Sequence, residues 1–172
     1  FGIVVPESKS IAHELIIPEK HRLGAKDGQF VVALIIDYPS KRRKAVAEVT
    51  EILGDVTTPG VEIAIALRRF EVPHLWPATV KKETRSLGHE VSVKDTFGRF
   101  NLRDRQFVTI DGEDAKDFDD AVFAERARDG GWTLFVAIAD VSNYVNPGSA
   151  LDAEANNRGT SVYFPGHVVP ML

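Results

Sequence analysis

Residues 108–124 read VTIDGEDAKDFDDAVFA, and this stretch sets six carboxylates between two short apolar runs. The apolar runs have the β-branched and aromatic character of strands, so the acidic residues are expected where a packed sheet meets a loop. Carboxylates gathered in a partly dry place repel one another, and the usual remedies are raised pKa values or bound cations. Hard oxygen donors suit Mg²⁺ or Mn²⁺. An acidic, solvated surface loop is the alternative that the residues alone leave open.

The acidic stretch leads into a predicted β-hairpin. Two strand-like runs, 119–127 and 132–140, are joined by Arg-Asp-Gly-Gly at 128–131. The Asp-Gly pair is typical of a two-residue turn that requires positive φ. In the register set by such a turn, Asp119 faces Asp140 across the ladder, and two like charges in that position need something to neutralise them. We therefore predict that Asp140 takes part in the site, either as a ligand or by supporting the ligands.

The amino-terminal third has the pattern of a small β-structure. Short β-branched runs at 1–5, 14–17, 30–37 and 45–53 are separated by proline and glycine, which favours an antiparallel barrel or sandwich. The loop between the last two runs carries four cations, here called the basic loop: Lys41, Arg42, Arg43 and Lys44. These side chains either contact a phosphate backbone or form an ordinary solvated turn, and the residues alone favour neither.

The rest of the chain adds helices. The pattern predicts helices over 61–69 and 76–87, the second one basic on one side, and a third over 149–158 that is followed by a strand over 160–164. Ser149 is a suitable amino-terminal cap for the third helix, and Gly159 is a suitable end. Helices and strands together predict a mixed α/β fold.

Composition and charge narrow the class of protein. The 172 residues contain no cysteine, which excludes disulfides and cysteine nucleophiles and fits a reducing, cytoplasmic location. No apolar run approaches the ~20 residues of a membrane helix. Basic and acidic residues number ten and ten over 1–75, seven and four over 76–110, and four and eleven over 111–172. The net charge of −4 therefore arises around the acidic stretch, where two divalent cations would offset it.

Over a longer span, the acidic stretch resembles the signature of the catalytic domain of the ribonuclease II family, in its ribonuclease R branch. The similarity continues through WTLFVAIADVSNY at 132–144 and NRGTSVYFPGHVVPML at 157–172. Residues 1–56 resemble the second cold-shock-type barrel, an OB fold, that precedes this domain in the family. The resemblance implies an OB-type barrel over 1–56, a helical and basic linker over 57–106, and the start of an RNB-type α+β catalytic domain over 107–172.

Members of this family are 3′→5′ exoribonucleases that hydrolyse single-stranded RNA processively to nucleoside 5′-monophosphates. The resemblance implies a catalytic, metal-binding set that consists of Asp111, Asp117, Asp119 and Asp120. Asp111 and Asp120 would bind Mg²⁺ or Mn²⁺ directly, Asp117 directly or through water, and Asp119 would hold a second ion. Two such ions would activate the attacking water and stabilise the leaving oxygen. Tyr163 matches the family's aromatic residue that stacks near the 3′-terminal nucleotide.

The resemblance also implies the partners of this chain. The expected partners are single-stranded RNA and the remainder of the catalytic domain with an S1-type barrel, and no membrane is expected. The chain opens without an initiator methionine, so we expect a fragment. Because the remainder of the catalytic domain and the S1-type barrel would lie outside it, we expect this fragment to bind metal weakly and to degrade RNA poorly or not at all. The basic loop would guide the RNA backbone. Two other interpretations stay open: a non-catalytic RNA-binding module built on the barrel, and a metal nuclease that acts on DNA.

Overall fold

The computed structural model describes residues 1–8, 10–11, 13–41 and 43–172. The chain divides into two compact units, Phe1–Val72 and Pro73–Leu172. Both units combine helices with mainly antiparallel strands, so the predicted mixed α/β class is confirmed. No helix in the described ranges is long and apolar enough to cross a membrane. The predicted boundaries at 56 and 106 stay predictions.

The first unit is built on one four-stranded sheet. Its strands are β1 (Gly2–Val4), β2 (Leu15–Ile17), β3 (Gln29–Asp37) and β4 (Val46–Asp55), in the order β1-β2-β4-β3. The outer pairs are antiparallel, as the pattern predicts. Strands β2 and β4 instead run parallel and meet at a single pair, Ile16 with Val46. The sequence did not indicate this parallel contact, because it depends on how the two hairpins are placed.

Small and β-branched side chains fill the core of the first unit. The buried cluster consists of Leu15, Ile17, Ala45, Ala47 and Val49. Alternate positions of β4 point inward because successive side chains of a strand face opposite sides of the sheet. Helix α1 (Val61–Arg69) begins and ends where the pattern predicts, and its Arg68 binds Glu51 of β4 through a two-nitrogen contact. Helix α1 therefore packs with the sheet of this unit.

The second unit contains two helices and two β-hairpins. Helix α2 spans Ala78–Thr84 and α3 spans Ala150–Arg158, while β5 (Asp120–Arg126) pairs with β6 (Trp132–Ile138) and β7 (Val162–Phe164) pairs with β8 (His167–Val169). Ser149 accepts a hydrogen bond from the Asp152 amide at 3.1 Å, and Gly159 ends α3 at φ 74°, so both predicted caps of α3 are confirmed. Of the strand-like apolar run that precedes the acidic residues, the structure keeps one bridge, between Val108 and Val122.

The register of the β5–β6 hairpin differs from the predicted one. Asp120 pairs with Ile138, and the Ala139 amide donates to the Asp119 carbonyl at 2.7 Å, so Asp119 does not face Asp140. The reason is a three-residue loop: the Ala127 amide bonds the Gly131 carbonyl, and Gly130 has φ 92°. The carboxylate of Asp129 accepts from the Gly131 amide at 3.1 Å and stabilises this longer loop. The two-residue turn was therefore the wrong prediction.

Candidate active site

The acidic loop, residues 111–120, is held at both ends by backbone hydrogen bonds. Val108 and Val122 exchange two bonds of 3.0 and 2.9 Å, which fix the entrance of the loop against β5. The Asp119–Ala139 bond fixes its exit against the end of β6. The loop therefore starts from and returns to the same hairpin, as expected for carboxylates placed where a sheet meets a loop.

Tyr163 reaches the middle of the acidic loop from the β7–β8 hairpin. Its hydroxyl donates to Oδ1 of Asp117 and accepts from the Lys116 amide at 3.2 Å. The structure thus brings together two of the site residues predicted from sequence, although 46 positions separate them. Tyr163 as a residue stays 44% exposed, so part of it is accessible to a ligand.

The contact with Tyr163 shapes the acid–base behaviour of both partners. The hydrogen bond from Tyr163, followed by one from Ser161, holds the pKa of Asp117 below its ordinary value. The same bond to Asp117 raises the pKa of Tyr163, because a phenolate would lose the donated proton and face a carboxylate. Asp117 is therefore ionised and Tyr163 is protonated over the whole neutral range.

The other carboxylates of the predicted site lie at the surface. Asp111, Asp119 and Asp120 are exposed, and Asp120 begins β5 on the hairpin face that carries Ile138. Oxygen donors of this kind fit Mg²⁺ or Mn²⁺. Within the part of the chain that the structure describes, however, no three acidic or histidine side chains lie close enough to hold one ion. The structure therefore provides exposed carboxylate oxygens and brings Asp117 into contact with Tyr163. It does not bring the four aspartates to a common point.

Asp140 accepts hydrogen bonds from Arg99 and Ser142. One of its oxygens accepts from Arg99 at 2.6 Å and the other from Ser142 at 2.8 Å. These bonds, that from Arg99 first, hold the pKa of Asp140 below its ordinary value. The cross-strand reasoning that led to Asp140 is wrong because of the changed register. A role of Asp140 in the site stays a prediction. No contact among the described residues supports it.

The second unit contains a cavity that the sequence did not predict. It measures about 710 Å³ and lies beside the β5–β6 hairpin at Ala121 and Ala137. Its lining also includes Arg99, Arg103, Arg105, Phe107, Asp140 and Tyr144. Two of its arginines are paired: Arg99 binds Asp140, and Arg105 binds Glu125. The available signal was three arginines within seven residues of the basic segment 76–110. These pairs hold the segment that leads to the acidic loop against the hairpin.

The basic loop belongs to the first unit and is partly neutralised there. Nη1 of Arg43 lies 3.6 Å from Oδ2 of Asp37, and Nζ of Lys44 lies 3.4 Å from Oε2 of Glu14. Lys41 is exposed, whereas Arg42 lies outside the described residues. Both pairs are exposed and therefore contribute little to stability. The cations remain accessible to a polyanion that competes with the two carboxylates.

Models of known protein domains match a segment in each part of the chain. A cold shock domain model matches residues 3–77, and an RNB domain model matches residues 99–172. The chain is 52% identical, over its whole length, to ribonuclease R of Vibrio parahaemolyticus. It spans about a fifth of the length of that relative, 21%.

Solved structures give the same result. Mycoplasma genitalium RNase R in complex with double-stranded RNA matches 93% of the chain at 28% identity, with a TM-score of 0.80 and 28% of that protein covered. The complex of the same protein with ribose-methylated single-stranded RNA matches 92% of the chain and 25% of its own length, at 28% identity and a TM-score of 0.78. The predicted OB-type barrel and RNB-type start are therefore confirmed as the fold.

Proposed function

Since the chain belongs to the ribonuclease R branch of the ribonuclease II family, we propose that it is part of a processive 3′→5′ exoribonuclease. Its substrate is single-stranded RNA, and its products are nucleoside 5′-monophosphates. The observation that supports this proposal most directly is the contact between Tyr163 and Asp117, because it places a partly exposed aromatic residue beside a carboxylate of the acidic loop. A terminal base stacked on that ring would hold the last phosphodiester near the aspartates.

Divalent metal is part of this proposal. The acidic loop would hold Mg²⁺ or Mn²⁺ through Asp111, Asp117, Asp119 and Asp120, and the ions would supply charge neutralisation and a water of lowered pKa. Asp117 is already ionised and oriented by Tyr163, so it offers an oxygen without first losing a proton. Backbone hydrogen bonds fix both ends of the acidic loop. The other carboxylates would therefore reach a common ion by a rearrangement of the loop between those ends.

A non-catalytic RNA-binding module is the second candidate. It is favoured by the observation that, among the described residues, the carboxylates do not converge on one point. In that case the acidic loop would serve only to connect the segment at Val108 to the β5–β6 hairpin. The two candidates differ in one property, since only the nuclease requires the loop to bind a divalent cation.

A Mn²⁺ titration of this chain by calorimetry separates the candidates. We expect Mn²⁺ binding that Asp119→Asn weakens by at least about tenfold, because loss of a ligand or its support costs that much or more. The matched control is Asp114→Asn, which removes one charge from the same loop at a position outside the predicted set. No detectable Mn²⁺ binding by either the wild-type chain or Asp119→Asn would favour the binding module, whereas equally tight binding by both would show that Asp119 is not a ligand.

The basic loop provides a separate prediction about RNA. We propose that Lys41 and Arg43 contact the phosphate backbone, and that RNA draws Arg43 from Asp37. The double variant Lys41→Ala with Arg43→Ala should weaken single-stranded RNA binding and reduce the dependence on salt by about 0.7 per lost phosphate contact. Fluorescence anisotropy at several salt concentrations measures this slope. Lys20→Ala is the control, and an unchanged slope in the double variant would refute the role of the basic loop.

We propose a cytoplasmic protein, since the absence of cysteine from the 172 residues is compatible with a reducing compartment.

A further inference from the structure

The hydroxyl of Tyr163 makes two hydrogen bonds to neighbouring residues of the acidic loop. As a donor it binds Oδ1 of Asp117, and as an acceptor it receives the Lys116 amide at 3.2 Å. A phenolic hydroxyl has one proton to donate, so this geometry assigns that proton to Asp117. Stacking of a base uses only the face of the ring and requires neither bond. The hydroxyl therefore has a task that is separate from the ring.

Tyr163 is carried by a hydrogen-bonded hairpin. Tyr163 is the middle residue of β7 and pairs with Val168 of β8, and the next pair, Val162 with Val169, includes a side chain that is only 5% exposed. The Met171 amide donates to Ser161 at 3.0 Å, which closes the open end of the hairpin. The Tyr163 hydroxyl is therefore carried by paired backbone, whereas Asp117 lies in an exposed loop.

We infer that the Tyr163 hydroxyl positions Asp117 for its ligand, in addition to any stacking by the ring. This inference rests on the proposed function, since it assigns Asp117 to a metal. An exposed aspartate samples several rotamers, and a bond at Oδ1 selects one of them. The bond to the Lys116 amide fixes the adjacent backbone as well. Carboxylates that bind metals are commonly oriented by hydrogen bonds of this kind.

The test separates the hydroxyl from the ring. Tyr163→Phe keeps the aromatic face and removes both hydrogen bonds, so positioning predicts weaker Mn²⁺ binding by about 10-fold or more in calorimetry. Stacking alone predicts the wild-type affinity, because no RNA is present. Asp117→Asn is measured in parallel: a weakened Asp117→Asn with an unaffected Tyr163→Phe overturns the inference and leaves the proposed function standing. If Asp117→Asn also binds Mn²⁺ as the wild type does, Asp117 is no ligand, and both the metal assignment and this inference fail.

A second measurement needs no metal. The Lys116 amide should exchange its hydrogen several-fold faster in Tyr163→Phe than in the wild type, as followed by nuclear magnetic resonance. The Ala115 amide, which bonds the Gly112 carbonyl at 3.1 Å, serves as the control inside the same loop. Unchanged amides at Val108 and Val122 would establish that the variant is folded. Equal Lys116 exchange in the two proteins would show that the hydroxyl does not order the loop, and the inference would be wrong.

Discussion

Replacing Arg158 by alanine is expected to lower the free energy of unfolding of the Pro73–Leu172 unit by about 3–5 kcal/mol. The Arg158 side chain is only 2% exposed and binds Glu154 at 2.8 Å. Its other nitrogens donate to the carbonyls of Pro170 at 2.9 Å and Leu75 at 3.3 Å, and its guanidinium lies 3.5 Å from the centre of the Trp76 ring. Removal of this side chain leaves the Glu154 carboxylate, two carbonyls and an aromatic face without their buried partner.

Chemical denaturation followed by tryptophan fluorescence measures this effect. Both tryptophans, Trp76 and Trp132, lie in the second unit, so the signal reports that unit alone. Arg158→Lys keeps the charge and loses the planar fork, and we expect an intermediate loss of stability. Arg128→Ala, in the exposed loop between β5 and β6, is the matched control and should change little. A denaturation midpoint for Arg158→Ala equal to that of the wild type would contradict this account of the unit.

The same side chain has a consequence for the site. Arg158 ends α3, and its bond to Pro170 ties that helix to the residue that follows β8. The β7–β8 hairpin carries Tyr163, which in turn holds Asp117. The contacts of Arg158 and of Tyr163 therefore link α3 to the acidic loop through one hairpin.

Asp119→Asn in the intact enzyme is expected to lower the rate of RNA hydrolysis by more than about 100-fold. Loss of a hydrogen-bonding partner of a metal ligand already costs 10–100-fold, and loss of a ligand should cost more. Asparagine keeps the size of the side chain, so the backbone bond from Ala139 to residue 119 is retained and folding should be unaffected. Release of nucleoside monophosphates from single-stranded RNA measures the rate.

Asp114→Asn is again the control for this second effect. It lies in the same loop and removes the same charge, and its rate should remain within a few-fold of the wild-type rate. If both variants lost activity equally, the general negative charge of the loop would matter and Asp119 would have no special role. If neither lost activity, the catalytic assignment of the acidic loop would be wrong.

Local signals predicted a large part of this fold. Helix α1 and helix α3 begin and end as expected, since the apolar spacing and the Ser149 and Gly159 caps act within a few residues. The β5–β6 register failed because Asp129-Gly130 is compatible with both a two-residue and a three-residue loop. The choice depends on the bond between the Asp129 carboxylate and the Gly131 amide, which composition does not reveal. Strand β8 was missed because its three residues are too short to show an alternating pattern.

The residues of the candidate site were predictable from the sequence, whereas their contacts with one another were not. The acidic loop stands out by its carboxylates, and the resemblance to a family singled out Tyr163. The contact of Tyr163 with Asp117 joins residues 46 positions apart, and the pairing of Arg99 with Asp140 joins residues 41 apart. Neither contact has a local signal, because each depends on how a hairpin or an irregular segment packs on the rest of the unit.

The most direct test of the central claim uses the enzyme encoded by the complete reading frame and single-stranded RNA labelled at either its 5′ or its 3′ end. With Mg²⁺ present, we expect the 3′ label to leave first as a nucleoside 5′-monophosphate, while the 5′ label remains on a long strand and then appears in a short end product. Chelation of the metal should stop both processes. Early release of the 5′ label, cleavage at internal positions, or equal hydrolysis without a divalent cation would contradict the account.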